Sequence, residues 1–311
     1  MTVVIAFVAN VLVAIAKSVA AALTGSASLV AEAAHSWADA GNEIFLLLAD
    51  RAPGRRRDAA HPLGYGRDSY IWSLFAAVGV FTAGAVVSVM HGVQSLFETE
   101  ADTDYTIGYV VLAVSFVLEG ASLAQSVLQV RRDSRRFRRD PLDYVLNSSN
   151  ATLRAVVAED SAALIGLVLA FLGIFLHQIT GQAVWDALGS IAIGLLLGVV
   201  ALVLINRNRR FLLGAAPPAA VRDAVGRRLL ERPEVARLTY LHLEFVGPAQ
   251  LFLVAAVDLV GEPSESRVAE QLRALSTEVE GDEIIRTAIF TPSLRGDAAL
   301  EFGAGSAVEV G

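Results

Sequence analysis

The sequence predicts an α-helical membrane protein: a bundle of six transmembrane helices followed by a small α+β tail. Three observations predict it. Of 311 residues, 54% are hydrophobic and 18% charged, with a mean hydropathy of +0.54, a balance that suits a bilayer better than a water-facing surface. Six apolar segments reach the roughly 20 residues needed to cross hydrocarbon. Arginines gather in alternate connections between those segments, the asymmetry that orients insertion.

The first segment, Val3 to Leu23, lacks a basic leader and a small-residue cleavage site, so it reads as a retained span and not a signal peptide. The others are Ser28 to Ala49, Tyr70 to Phe97, Thr106 to Val130, Leu153 to Ile179 and Ala183 to Ile205. Arginine blocks follow the second span (Arg51, Arg55, Arg56, Arg57, Arg67), the fourth (Arg131, Arg132, Arg135, Arg136, Arg138, Arg139) and the sixth (Arg207, Arg209, Arg210). The alternate loops are short or acidic, as in Glu98, Glu100, Asp102 and Asp104. This pattern places both termini in the cytoplasm. The basic residues border spans and form no separate basic domain, so the net charge of −7 gives no argument for nucleic acid. The Ala, Arg and Gly content suits a bacterial plasma membrane.

Beyond residue 212 the apolar spans stop. Pro217 and Pro218 start a helix with Val221, Val225 and Leu229 on one face. Leu238 to Val246 and Leu251 to Val260 alternate as strands about a turn at Gly247 and Pro248. Ser264 can cap a helix whose apolar face is Val268, Leu272, Leu275 and Val279, and Glu283 to Thr291 is a last strand. The order αββαβ over 213–293 is ferredoxin-like. At about 80 residues it is small for a free-standing core and steadier as a dimer. Residues 294–311 show no packing pattern and are expected to be disordered.

The chemistry concentrates in Gly25 to Asn42, GSASLVAEAAHSWADAGN. At 100° per residue, Glu32 lies about 60° and Asp39 about 40° from His35, so the three project from one face at successive turns. Ionisable groups at membrane depth are costly and point to function; interhelical hydrogen bonding is the bland alternative, weighing most for Glu32. No cysteine is present, which excludes disulfides and thiolate metal sites. Imidazole and carboxylate leave zinc, manganese, iron(II), cobalt and nickel open. Span five adds Glu159 and Asp160; adjacent residues point about 100° apart, so both cannot face one point equally. If Asp160 aims at span two, Glu159 is left as a flanking ligand, a proton acceptor or a partner for another helix.

Glu119, midway along span four, is a proton-relay candidate or a structural partner for Lys17. Lys17 needs a carboxylate, Glu43 or Glu119, unless it snorkels to an interface. His91 and His177, near span ends, read as interfacial or hydrogen-bonded. Asp186 suits a helix N-terminus, and Ser190, Gly194 and Gly198 have the spacing of close helix packing. His242 and Glu244 share a strand face, which two polar residues explain without a metal.

HSWAD on the second span, Asp160 on the fifth and the αββαβ tail together make the chain resemble the cation diffusion facilitator family of zinc and manganese transporters. GSASLVAEAAHSWAD, HPLGYGR and VVAEDSAALIG look closest to the branch containing the mitochondrial zinc transporter of animals, over about Val3 to Thr291. The resemblance implies a homodimer, each protomer holding a metal between spans two and five and exchanging it for protons, with no prosthetic group. His35 and Asp39 match the span-two ligands and Asp160 one of the span-five pair; Val156 stands where most of the family has His. Either Glu159 substitutes, or three protein ligands and a water remain. In the loop after span two, Asp58 and His61 match a second family metal site, but Tyr65 replaces its other His, implying a weakened or absent site. The last strand, RTAIFTPS, lacks the family's tail ligands, which leaves dimerisation as the role of the tail.

The leading reading is therefore efflux of a divalent metal, zinc first with manganese, iron and cobalt open, by proton antiport. A second is a degenerate, non-transporting family member acting as a regulatory or scaffolding subunit. A third, a membrane enzyme using Glu159 and Asp160 as acid and base, lacks any nucleophile, phosphate loop or cofactor motif.

Overall fold

The computed structural model describes residues 2–97, 105–136, 140–261 and 264–303. Among the described residues, six long helical rods form the membrane domain. They are α1 (Thr2–Thr24), α2 (Ala27–Arg51), a third rod of α3 (Asp68–Gly79) and α4 (Val87–Ser95), α5 (Thr106–Arg136), α7 (Ala151–Thr180) and α8 (Val184–Leu212), with a short α6 (Pro141–Asn147) before α7. Among the described residues, five of the rods are long and apolar enough to cross a membrane. The exception is α2: it has 25 residues, but Glu32, Asp39 and Glu43 lower its hydropathy.

Two features depart from the sequence expectation. The third rod passes through a π-helical stretch, Val80–Val86, where the Thr82 hydroxyl donates back to the carbonyls of Val78 (2.9 Å) and Gly79 (3.3 Å); widened turns of this kind accommodate such insertions. The short α6 lies in what reads as an arginine-rich connection. The acidic residues Glu98, Glu100, Asp102 and Asp104 and the arginines Arg138 and Arg139 lie outside the described residues.

Small residues draw α8 against the third rod. Ser190 Oγ donates to the Ser88 carbonyl at 2.8 Å, and a Cβ on Gly194 would meet the Ala85 carbonyl at 2.9 Å. The buried centre includes Leu29, Leu112, Leu167, Ile174, Ile193 and Leu197. On the outside, Val8, Leu12, Ile15, Val19 and Leu23 of α1 are exposed at helical spacing, the apolar stripe that hydrocarbon covers.

Asp186 does more than open its own helix. Its carboxylate accepts from Ser26 Oγ (2.9 Å), the Ala27 amide (2.5 Å) and the Ser28 amide (3.3 Å), thereby capping the buried N-terminus of α2 from α8. Ser28 Oγ returns a bond to the Asp186 carbonyl at 2.8 Å.

The tail has α9 (Ala219–Leu230), β1 (Val235–Gly247), β2 (Gln250–Leu259), α10 (Glu265–Val279) and β3 (Ile285–Pro292). This is the expected αββαβ order. The sheet runs β1-β2-β3, antiparallel then parallel. Strict burial alternation along β2 turns Leu251, Leu253, Ala255 and Val257 onto Val225, Leu229, Leu275 and Val279 of the two helices.

The expectation of disorder beyond residue 293 is corrected for 294–303: the Leu300 amide donates to the Leu238 carbonyl at 2.7 Å, and Leu300 and Phe302 pack on the tail core. Their apolar side chains, interrupted by Gly and Ala, give no periodic signal. Residues 304–311 lie outside the described residues.

The β1–β2 hairpin seats on the membrane domain. The Ala249 amide, at the turn, donates to Ser149 Oγ at 3.0 Å, and Arg67 pairs with Glu244. Across the junction Tyr70 stacks on Phe211, and Phe211 meets Phe245 edge to face, with centroids 5.1 and 5.6 Å apart. Gly66 lies so close to the hairpin that a Cβ would stand 2.5 Å from the Val246 carbonyl.

Candidate functional site

A cleft of about 370 Å³ opens between α1, α2, α5 and α7. Its wall carries five carboxylates: Asp39 and Glu43 from α2, Glu119 from α5, Glu159 and Asp160 from α7. Spacings of three and four residues bring Asp39, Asn42 and Glu43 to one side of α2, while Glu119 and Ser122 are one turn apart on α5.

Each carboxylate is held differently. Asn42 Nδ2 donates to Glu159 Oε1 at 2.5 Å, joining α2 to α7. Asp160 accepts from Ser122 Oγ (3.0 Å) and Ser126 Oγ (3.2 Å) of α5. It is thus hydrogen-bonded to α5, not α2, although its wall position faces the same cleft as Asp39. Glu43 accepts from Asn10 at 3.2 Å. Asp39 has no hydrogen-bond donor on its buried Oδ1 among the described residues.

His35 sits one turn from Asp39, its Nδ1 3.4 Å from Asp39 Oδ1. It is buried, and neither ring nitrogen makes a hydrogen bond among the described residues. A buried imidazole with both nitrogens unsatisfied is costly to the fold and is the form a divalent ion binds. Among the described residues, no three His, Asp or Glu side chains gather closely enough to hold a metal as they stand. Val156 lines the same cleft.

Behind this wall, Lys17 Nζ lies 2.8 Å from Glu32 Oε2 and 2.8 Å from Glu119 Oε1. Glu119 is one of the two partners considered for Lys17; Glu32 is the other in place of Glu43, and Lys17 does not snorkel but is wholly buried. Sequence reasoning missed Asn42, Ser122 and Ser126. Helical spacing carried the signal: Asn42 is three residues from Asp39, and Ser122 and Ser126 are three and seven from Glu119.

Elsewhere, Asp58 Oδ1 lies 3.2 Å from His61 Nδ1, and Tyr65 OH donates to Asp58 Oδ2 at 2.6 Å. The Tyr65 phenol and the His61 amide together pull the Asp58 carboxyl down to about 2, while the same bond raises the Tyr65 hydroxyl. The phenol therefore occupies the oxygen a loop cation would use. His177 Nδ1 meets Tyr105 OH at 3.0 Å. His242 lies 3.6 Å from Glu244, whose carboxylate is already paired with Arg67.

With this geometry in view, the sequence pattern of the cation efflux transmembrane domain matches residues 3–213. The chain belongs to the cation efflux family. Metal tolerance protein C4 of Arabidopsis thaliana is 34% identical over 234 residues, 75% of this chain and 51% of its own length. A human protein named proton-coupled zinc antiporter SLC30A9, mitochondrial, is 34% identical over 238 residues, 76% of this chain and 42% of its own. An uncharacterized transporter of Methanocaldococcus jannaschii is 22% identical over 247 residues, covering 79% and 81%. The chain spans about half the length of the first two. As a cation efflux protein with apolar rods of membrane length, it is an integral membrane protein.

Proposed function

We propose that this cation efflux chain moves a divalent metal ion across its membrane in exchange for protons, with zinc the first cargo and manganese, iron(II) and cobalt to be compared. His35, Asp39, Glu159 and Asp160 are its cargo ligands, Glu159 standing in for the position that Val156 vacates. The observation that carries this reading is the meeting of Asp39, Glu159 and Asp160 on one cleft inside the bundle, with His35 one turn from Asp39, its Nδ1 3.4 Å from Asp39 Oδ1 and neither ring nitrogen hydrogen-bonded among the described residues. Loading would draw these groups together, because α2 and α7 already meet through Asn42 and Glu159. Neutral imidazole and ionised carboxylate are the metal-binding forms, so protons and metal compete for the same atoms. The zinc antiporter name of a 34% identical relative supports both cargo and coupling. The protomer works as a homodimer through its tail, in a bacterial plasma membrane with both termini cytoplasmic.

Proteoliposomes with an imposed pH gradient test this metal by metal. Zinc uptake with opposing proton movement is expected, and His35→Ala or Asp160→Asn abolishes it. Asp160→Asn still accepts from Ser122 and Ser126, so it removes charge while keeping the fold. Unchanged flux in both variants overturns the assignment.

A second reading, a non-transporting regulatory subunit, is favoured by Val156 in the cleft wall and the absence of a preassembled three-ligand group among the described residues. Equilibrium dialysis separates the two: a transporter binds about one metal per protomer at the membrane site, a degenerate member none.

A further inference from the structure

We propose that Lys17 is a built-in counter-cation seated in a second carboxylate pair behind the cleft, and that it shares Glu119 with the divalent ion the cleft takes. The proposal rests on the reading of that cleft as the cargo path. One ammonium stands 2.8 Å from each of two carboxylates, Glu32 on α2 and Glu119 on α5. Lys17 and Glu32 have no exposed side-chain surface. Their niche is built: Gly166 of α7 faces Glu32 Oε1 so closely that any Cβ there would collide with it.

The pair is only half used. Glu32 Oε1 and Glu119 Oε2 are buried and make no hydrogen bond among the described residues. Glu119 also lines the cleft beside Asp39, Glu159 and Asp160, whereas Glu32 does not. One carboxylate thus faces a resident positive charge with one oxygen and has a second oxygen available to a visiting one.

Two cations drawing on one carboxylate weaken each other's hold, and in a low-dielectric interior that effect is large. Lys17 therefore lowers the affinity of the cleft for its cargo, which favours release, and an arriving ion loosens the Lys17–Glu119 tie between α1 and α5. In this role Lys17 is a positioning residue; it touches Glu119 and never the cargo.

Titration calorimetry with zinc chloride on the purified full chain in lipid nanodiscs, run in two buffers of different ionisation enthalpy, reads affinity and displaced protons together. Lys17→Met is expected to bind zinc about tenfold tighter and to displace more protons per zinc, because Glu32 and Glu119 lose their fixed counter-charge. Lys17→Arg brings both readings back toward native values, and adding Glu119→Gln to Lys17→Met removes the gain. Native or weakened affinity in Lys17→Met, with the proton count unmoved, overturns the proposal while zinc binding by the native chain leaves the cleft reading standing. A native chain that binds no zinc overturns both. Should Lys17→Met not fold, Glu119→Gln alone decides, since it retains the Lys17–Glu32 pair: zinc binding about tenfold weaker is expected, and unchanged affinity overturns the proposal.

Discussion

The Asn42 amide of α2 donates to the Glu159 carboxylate of α7 at 2.5 Å, inside the bundle and at the edge of the carboxylate cleft. The two helices that supply the proposed cargo ligands are therefore joined by a side-chain bond before any ion arrives. Asn42→Leu leaves a buried acceptor without its donor, which costs about 1–3 kcal/mol. A lower thermal midpoint in detergent and weaker zinc binding are expected together. A variant with native values for both would show that the bond contributes nothing.

Asp186 predicts a graded loss of stability. Asp186→Ala strips Ser26 Oγ and the Ala27 and Ser28 amides of their shared acceptor, and each buried donor left unsatisfied costs about 1–3 kcal/mol. Asp186→Asn keeps one acceptor oxygen and loses less. Midpoints in the order native, Asn, Ala are expected, with transport per folded molecule retained, because Asp186 is outside the cleft.

In the loop after α2, the pH dependence follows from Asp58. Its carboxyl is held at about 2 against an ordinary 3.8 by the Tyr65 phenol and the His61 amide. A depressed carboxyl stabilises the folded loop above its ordinary value, and that contribution is lost as pH falls from about 4 through about 2. Tyr65→Phe removes the first of those donors, so carboxyl NMR should show Asp58 titrating at higher pH. It also frees Oδ2, and line broadening by manganese or a resonance shift on adding zinc should appear at His61, where the native loop is expected to show neither.

The junction between the membrane domain and the tail depends on Gly66. A Cβ at this position would stand 2.5 Å from the Val246 carbonyl and 2.7 Å from the Gly247 Cα, so Gly66→Val forces backbone apart. Amide exchange at Ala249, protected by Ser149 in the native chain, should accelerate by about tenfold or more, which corresponds to roughly 1.4 kcal/mol of local opening. Unchanged exchange would mean that the loop adapts without moving the hairpin.

The rods and the order of the tail are legible in the sequence because both follow from period and length: apolar runs of membrane length, then alternation in β2 and helical faces in α9 and α10. His35, Asp39, Glu159 and Asp160 stand out because ionisable groups are rare in such runs. Their partners are less visible. Asp160 accepts from Ser122 and Ser126, and Lys17 is shared between Glu32 and Glu119, because rotation of one helix against another decides these choices and no single helix encodes it. Asp186 reads from sequence as serving its own helix, since a reach of some 160 residues back to Ser26 leaves no local trace. The ordered stretch 294–303 carries no sequence signal because Leu300 and Phe302 gain meaning only from the surface they cover.

The Asp186 cap has a mechanical consequence. It pins the first turn of α2 to the start of α8, where Gly173 and Gly189 leave open the space for Ser28 Oγ that a Cβ on either would invade. The carboxylate cleft lies toward the opposite ends of α2 and α7. A rod fastened at its tip tilts least at the rivet, so any tilt of α2 against α8 is expected to be smallest at the Ser26–Ser28 turn and to grow toward Arg51.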